Sequence, residues 1–582
     1  MPIKLQINPK IKERTVIAVS FLPILYAIIT LGAKIWQLDK GLVMSDEAYY
    51  LYLLKDMPRS GVTQFFIYFQ NIFRGDILSV RLMAFSLNLL GTSVFSYGVY
   101  SYFKKELKLT QKNFYLIWSF SFLLLFGGIF SLWICYFTLN QFVVFMAMGL
   151  ILLSIQRSIK WFTSLGIVLS GFFLGTLFFI MITNTPIILI ITVLIYFLSD
   201  KTNHFRNCLL LIAGVLLSIS AYFLFVDDLF LYINSFKKAF VNAIIANDAC
   251  ANNHSAVNHN VAGIKIWSRE TIIYLVKNVF IGVMILYGVT TVFRQRKQYS
   301  LYVQFIILIL FTWFVYACSV SNFIPEPYRF PSTTPFFIAY LYVLLLIVTE
   351  AKNKIESKNV LLFCFVFIIP VFLSLGTDVS LELRAVMYIS FYLPVIYIMI
   401  KFLNKRWRRV IHVLFILFIS VYFCYSMYLY GQDRFAWFEI IYTEQNIPVK
   451  SIGINQHVRL DKQKIETLQE LKANINKNDH VIFGNSAMWW GYMYLLEAKP
   501  VSYNFWIEKD KIIQKLREKA PVNPKTLKYI IDTKRFVQTI DTLFIYDIKN
   551  EIKADTIIKK EISSAIIYSF AADRNDQRIP TY

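Results

Sequence analysis

Cysteine is scarce in this chain, at 6 of 582 residues, and no two are spaced as in a disulfide framework or a zinc ribbon. Acid is scarce as well: 36 Asp and Glu stand against 59 Lys and Arg. No carboxylate falls inside any apolar run long enough to cross a bilayer. There is no inverted repeat and no broken helix with an acid at its middle, which argues against an alternating-access transporter. The loops on the basic side are all short, so a ligand sensor would have no room for a cytoplasmic output module. The first apolar segment is too long for a signal peptide and lacks a small-residue cleavage site, so it is expected to stay as an anchor. Charged residues make up only 16% of the chain, which excludes an ordinary soluble globular protein.

What is present is apolar. Hydrophobic residues are 57% of the chain and mean hydropathy is +0.54. Runs of the length that spans about 30 Å of hydrocarbon recur along the chain. They predict an α-helical polytopic membrane protein with about thirteen spans. The expected spans are 15–36, 79–103, 113–133, 137–155, 162–182, 187–199, 208–226, 272–293, 300–320, 333–349, 359–376, 383–401 and 410–430. Basic clusters occupy alternate loops, from Lys4–Arg14 to Lys401–Arg409. By the positive-inside rule the N-terminus is cytoplasmic and everything beyond Tyr430 is exterior. The net charge of +23 is therefore topological, and it gives no reason to expect a nucleic-acid partner.

Two exterior loops are long, 37–78 and 227–271. The first holds Met44-Ser45-Asp46-Glu47-Ala48-Tyr49-Tyr50, followed by an apolar stretch that ends before Pro58. This reads as a short helix at the bilayer surface, capped by Ser45 or Asp46. Capping alone accounts for an acid at that place. Adjacent helical positions diverge by about 100°, so at most one of the two carboxylates serves a given reacting atom. Residues 62–73 fit a second, amphipathic helix in the interface plane. Four cations fall just inside span ends on the exterior side: Lys34, Arg81, Lys277 and Arg384. Each can snorkel, yet all four run against the positive-inside bias. The partner this implies is a phosphate on a lipid carrier, with the loop acids Asp46, Glu47, Asp76 and Asp378 as competitors.

Three motifs in order carry a resemblance. Asp46-Glu47-Ala48-Tyr49-Tyr50, then Ser79-Val80-Arg81-Leu82, then Tyr328-Arg329-Phe330-Pro331 with Pro335 resemble signature elements of the C-type integral-membrane glycosyltransferases. The similarity is to the branch of the dolichyl-phosphate-mannose protein mannosyltransferases and the lipid A aminoarabinose transferase. In the third motif Tyr and Arg stand in exchanged order. The resemblance covers about residues 15–430 and implies the C-type glycosyltransferase fold. The donor would be a polyprenyl-phosphate sugar, most simply undecaprenyl phosphate, used on the exterior face of a bacterial inner membrane. Asp46 would be the base, with Glu47 ordering the loop or holding the acceptor. Arg81, Arg329, Lys277 and Arg384 would hold the leaving phosphate, and Tyr49 and Tyr328 would lie near substrate. The acceptor would be a glycan, lipid or protein. A lipid-linked-glycan polymerase or ligase shares this topology and donor chemistry.

No cofactor is required by this scheme. Asp248, His254 and His259 in the second long loop are metal-ligand types, and some members of the family bind a divalent ion, but His-x4-His matches no standard zinc site. Beyond Tyr430 charges of both signs mix and long apolar runs stop. Division into a transmembrane domain, 1–430, and a soluble α/β domain, 431–582, follows. In the latter, helices are expected at 460–475, 487–496 and 509–519, and strands at 480–483, 500–503, 529–532 and 542–546. Gly484-Asn485-Ser486 lacks the glycines and lysine of a phosphate loop and reads as a turn with an N-cap. Trp489, Trp490, Tyr492 and Tyr494 suit core packing better than sugar stacking.

Overall fold

The computed structural model describes residues 9–42, 44, 46–56, 76–122, 136–156, 160–180, 184–199, 203–225, 273, 275–280, 282–284, 287–288, 334–350, 355–373, 381–431, 444–477, 479–483, 489–501, 509–518, 523–532 and 542–571. The chain divides into two compact units. One comprises residues up to 35 and most of 83–437. The other joins 36–82 to 438–582, so the acidic loop belongs with the C-terminal domain and not with the helices that flank it in sequence.

The first unit is helical. It contains most of α1 (Pro9–Gln37) and α3 (Ile77–Leu107), then α4 (Gln111–Phe122), α5 (Tyr136–Gln156), α6 (Lys160–Ile180), α7 (Asn184–Ser199) and α8 (His204–Phe225). After a π-helical turn, Leu275–Phe280, come α9 (Thr334–Glu350), α10 (Ser357–Phe372), α11 (Leu381–Phe402) and α12 (Lys405–Gly431). Among the described residues five helices are long and apolar enough to cross a membrane: Ile77–Leu107, Thr138–Ile155, Trp161–Ile180, His204–Phe225 and Trp407–Cys424. Shorter apolar helices include Phe21–Gln37, Ile188–Phe197 and Phe336–Thr349. The expected span 300–320 and the interfacial helix 62–73 lie outside the described residues.

Small residues let the helices touch. Gly171 and Gly175 on α6 face Gly214 and Ser218 on α8, the small-xxx-small pattern that brings helix backbones together. A Cβ on Gly214 would run into the Val168 carbonyl, and one on Gly171 into that of Leu211. Gly98 on α3 meets Gly149 on α5 in the same way. Residues 391–400 of α11 are buried at every position, as expected of a helix apolar on all sides. There Phe391 stacks on Phe145 at 4.3 Å. Buried tyrosine hydroxyls find acceptors: Tyr340 donates to the Phe363 carbonyl and Tyr392 to that of Phe367, each at 2.8 Å.

In the second unit α2 (Asp46–Asp56) and the opening turns of α3 accompany a mixed sheet. A two-residue ladder, β1 (Ile447–Pro448) with β2 (Arg459–Leu460), precedes α13 (Lys462–Lys472). The sheet proper has order β4-β3-β5-β7-β6. Its strands are β3 (His480–Phe483), β4 (Lys499–Pro500), β5 (Leu527–Asp532), β6 (Thr556–Glu561) and β7 (Ala565–Ala571). β3 runs parallel to β4 and β5, with α14 (Trp489–Leu495) and α15 (Lys509–Glu518) in the crossovers, while β7 is antiparallel to β5 and β6. The core joins Ile482, Leu516, Tyr529, Phe544, Ile548 and Phe570, among others.

One expectation is overturned here. Residues 542–546 are not a strand but open α16 (Thr542–Glu551). Phe544, Ile545 and Ile548 are buried while Leu543 and Tyr546 are exposed, a 3.6-residue period that a short β-rich run conceals. The β6–β7 hairpin had no sequence signal: its turn lacks an Asn-Gly or Asp-Gly, and Lys559, Lys560 and Glu561 spoil the apolar alternation.

Candidate functional site

The site grows from Gly41. Its φ of 64° lies where glycine carries no Cβ penalty. This turn aims the carbonyls of Leu38, Lys40 and Gly41 at one point, and the Arg81 guanidinium occupies it. Nη1 donates to the Leu38 and Lys40 carbonyls at 3.0 and 3.1 Å, and Nη2 to that of Gly41 at 2.7 Å. The other two N–H groups go to Glu47: Nε to Oε1 at 2.6 Å and Nη2 to Oε2 at 2.7 Å. This is the fork-to-fork geometry that guanidinium offers and ammonium does not. Both side chains are buried, at 2% and 1% exposure. All five N–H groups of Arg81 are thus taken by the protein, so Glu47 is the competitor that holds this cation.

Asp46 opens α2, and only its place as the first residue of that helix is described. Ser45 lies outside the described residues. Tyr49 is half-buried with its ring edge-on to Trp490, the centroids 5.4 Å apart, and burial pushes its hydroxyl above the ordinary tyrosine value. Lys277 and Arg384 fall on described helical backbone with no described side chain; Tyr328, Arg329, Asp248, His254, His259 and Gly484–Ser486 lie outside the described residues. No three His, Cys, Asp or Glu come together as a metal site among the described residues.

The C-terminal domain grips this loop from both sides. Arg459 N–H donates to the Asp39 carbonyl at 2.7 Å, and Gly41 N–H to that of Arg459 at 2.8 Å. Gly491 N–H donates to the Met44 carbonyl at 2.7 Å, an approach so close that a Cβ on Gly491 would strike Met44. The Tyr52 hydroxyl donates to the Ala498 carbonyl at 2.7 Å, with its ring edge-on to Trp490 and Tyr494. Trp489, Trp490, Tyr492 and Tyr494 are all buried, packed as core. At the far end of the loop Asp76 accepts from the backbone and ring of His457 at 2.9 and 3.0 Å. It also accepts from Ser79 N–H at 3.3 Å, capping α3. Burial alone would raise the Asp76 carboxyl, but these hydrogen bonds outweigh it and hold the group below the usual carboxylate value.

None of the tail contacts was read from sequence, because their residues lie hundreds of positions from the loop. The aromatic density of Tyr49-Tyr50-Leu51-Tyr52 and of Trp489-Trp490 was the one available hint. The chain matches no protein-family model and no curated protein. Fold and site together define a mostly helical, membrane-associated protein in which a mixed-sheet domain clamps an acidic loop.

Proposed function

We propose that this is a polytopic membrane glycosyltransferase of the C-type fold, with about thirteen spans, acting on the exterior face of a bacterial inner membrane. It takes a sugar from a polyprenyl-phosphate donor, whose phosphate is already a leaving group, and passes it to an acceptor hydroxyl with inversion. Asp46 accepts the hydroxyl proton as the oxygen attacks the anomeric carbon. The observation that supports this reading is the bidentate pairing of Glu47 with Arg81 beside Asp46 in sequence. Glu47 is consumed by Arg81 on both of its oxygens, which leaves Asp46 as the acid for chemistry and makes Glu47 the residue that fixes its helix. Arg81 then supports the loop, and Arg329, Lys277 and Arg384 remain as candidates for the phosphate, with charge on it growing as the bond breaks. Tyr49 and Tyr328 stay as candidate neighbours of the substrate.

The test is sugar transfer by purified protein from a synthetic polyprenyl-phosphate donor. Asp46→Asn keeps the capping ability of the position and removes the base, so turnover is expected to fall roughly 10²- to 10⁴-fold with thermal stability unchanged. A stable Asp46→Asn protein at the parental rate overturns the assignment. Product length separates single transfer from polymerisation.

A further inference from the structure

Three cations come together where α4 begins, α11 ends and α12 begins. Tyr397, fully buried in α11, sets the geometry. Its hydroxyl donates to Asn113 Oδ1 at 2.7 Å, and Asn113 Nδ2 donates to Thr110 Oγ1 at 3.0 Å. These bonds tie the opening turn of α4 to α11. Lys112, beside Asn113, reaches over the Phe21 ring of α1 at 4.7 Å. Lys401 stands one turn beyond Tyr397, its ammonium 4.8 Å from the centre of that ring. Arg408 of α12 donates from Nε and Nη2 to the Leu403 carbonyl at 3.2 and 3.1 Å, which folds its guanidinium back on the turn between α11 and α12.

These charges are close enough to repel. Lys112 and Arg408 both act on Lys401, and Lys112 and Lys401 both act on His412 of α12. No acid offsets them in sequence: Leu107–Lys112 and Lys401–Arg409 contain none. Glu106, just before the first stretch, is engaged by Asn359 Nδ2 at 3.0 and 2.9 Å. Among the described residues no carboxylate pairs with Lys112, Lys401 or Arg408. The positive-inside bias explains which side of a membrane such residues take. It does not explain why like charges from separate helices are held together on a hydrogen-bonded frame, where they cost energy. An anion shared by several N–H donors removes that cost.

We propose that this edge of the helical unit, formed by Lys112, Lys401 and Arg408, binds the headgroup phosphate of an anionic phospholipid. Two observations select a lipid. Phe21, under the Lys112 ammonium, is 51% exposed on an apolar helix, so an acyl chain has a ring to lie against directly beside a cation for its headgroup. Trp407, half-buried in the first turn of α12, marks headgroup depth, where tryptophan is enriched. Basic pockets between the ends of membrane helices take phospholipid headgroups in this way. On the topology read from the basic loops this edge is cytoplasmic. The site is thus distinct from the exterior one proposed above for the sugar carrier, and it does not depend on that reading.

The experiment is native mass spectrometry of the full chain in a neutral detergent, titrated with phosphatidylglycerol or with phosphatidylcholine of the same acyl chains. The parent is expected to prefer phosphatidylglycerol by at least about tenfold. Lys401→Gln and Arg408→Gln should each lose about fivefold of that preference. The triple replacement of Lys112, Lys401 and Arg408 by Gln should abolish it, and Lys401→Arg should keep most of it. Lys358→Gln removes an exposed lysine that pairs with Glu356 outside the cluster, and it should change nothing. If Lys401→Gln fails to fold, Lys112→Gln and Arg408→Gln, both at exposed side chains, carry the test. A parent that binds the two lipids alike overturns the proposal. So does a Lys358→Gln protein that loses as much as Arg408→Gln, because a general surface field would then be acting. Inorganic phosphate displacing phosphatidylglycerol at equal affinity overturns the lipid part.

Discussion

In the helical unit several buried serine and threonine hydroxyls are bonded within their own helix: Thr92 to the Asn88 carbonyl, Ser96 to that of Thr92, Thr192 to that of Ile188. In the mixed-sheet unit the buried polar groups reach far along the chain, with Arg81 to Glu47 and Tyr52 to Ala498. Each unit also buries a cation. Arg81 has five hydrogen bonds, and Lys34 has none among the described residues. Local satisfaction costs little design, because the helix supplies the acceptor one turn back. Long-range satisfaction ties distant segments together, and where it is lost a charge is stranded. The acidic loop is therefore held by polar specificity, and the helices by close packing of small residues.

The contrast can be broken hardest at the ion pair. Glu47→Gln and Arg81→Met should each lower stability by about 3–5 kcal/mol, since each strands its partner. The joint Glu47→Leu, Arg81→Met replacement should recover much of that loss. Thermal unfolding of the three proteins decides; two harmless single variants would mean that the pair does not hold the loop. The helical unit should fail differently. Gly214→Leu must push α8 from α6 and cost about 1–3 kcal/mol. Gly32→Ala, with nothing within 4 Å of its Cβ, should be neutral or slightly stabilising by helix propensity. Equal effects of the two would refute the packing argument.

The smallest effect expected is at Asp76. Its carboxyl sits below the ordinary value near 3.8, so the folded state releases this proton more readily than the unfolded chain. The stabilisation is full above the ordinary value and is lost as pH falls through the depressed one. Asp76→Asn should remove that acid-side slope and cost about 1 kcal/mol at neutral pH. Urea midpoints of parent and variant between pH 2 and pH 6 measure it; parallel curves would assign the slope elsewhere.

Much of this was legible in the residues. A helix after Met44 that ends before Pro58, strand 480–483 and helix 509–519 all follow from local pattern, and all are present. The domain border was less legible. Composition changes near Tyr430, but the C-terminal unit also takes in 36–82, and hydropathy carries no mark of which domain a loop will join. At 542–551 a run of β-formers hid a helix, because four apolar residues in a row fit either period.

By itself the sequence determined which segments are apolar enough to leave water and that an acidic stretch begins a helix, since each follows from the pattern along one element. Only the tertiary structure decided that Glu47 pairs with Arg81, that the C-terminal domain clamps the loop, and that Lys34 is buried. Those outcomes depend on which groups meet across separations of 34 and 446 residues, and a buried charge takes whichever partner the fold brings within reach.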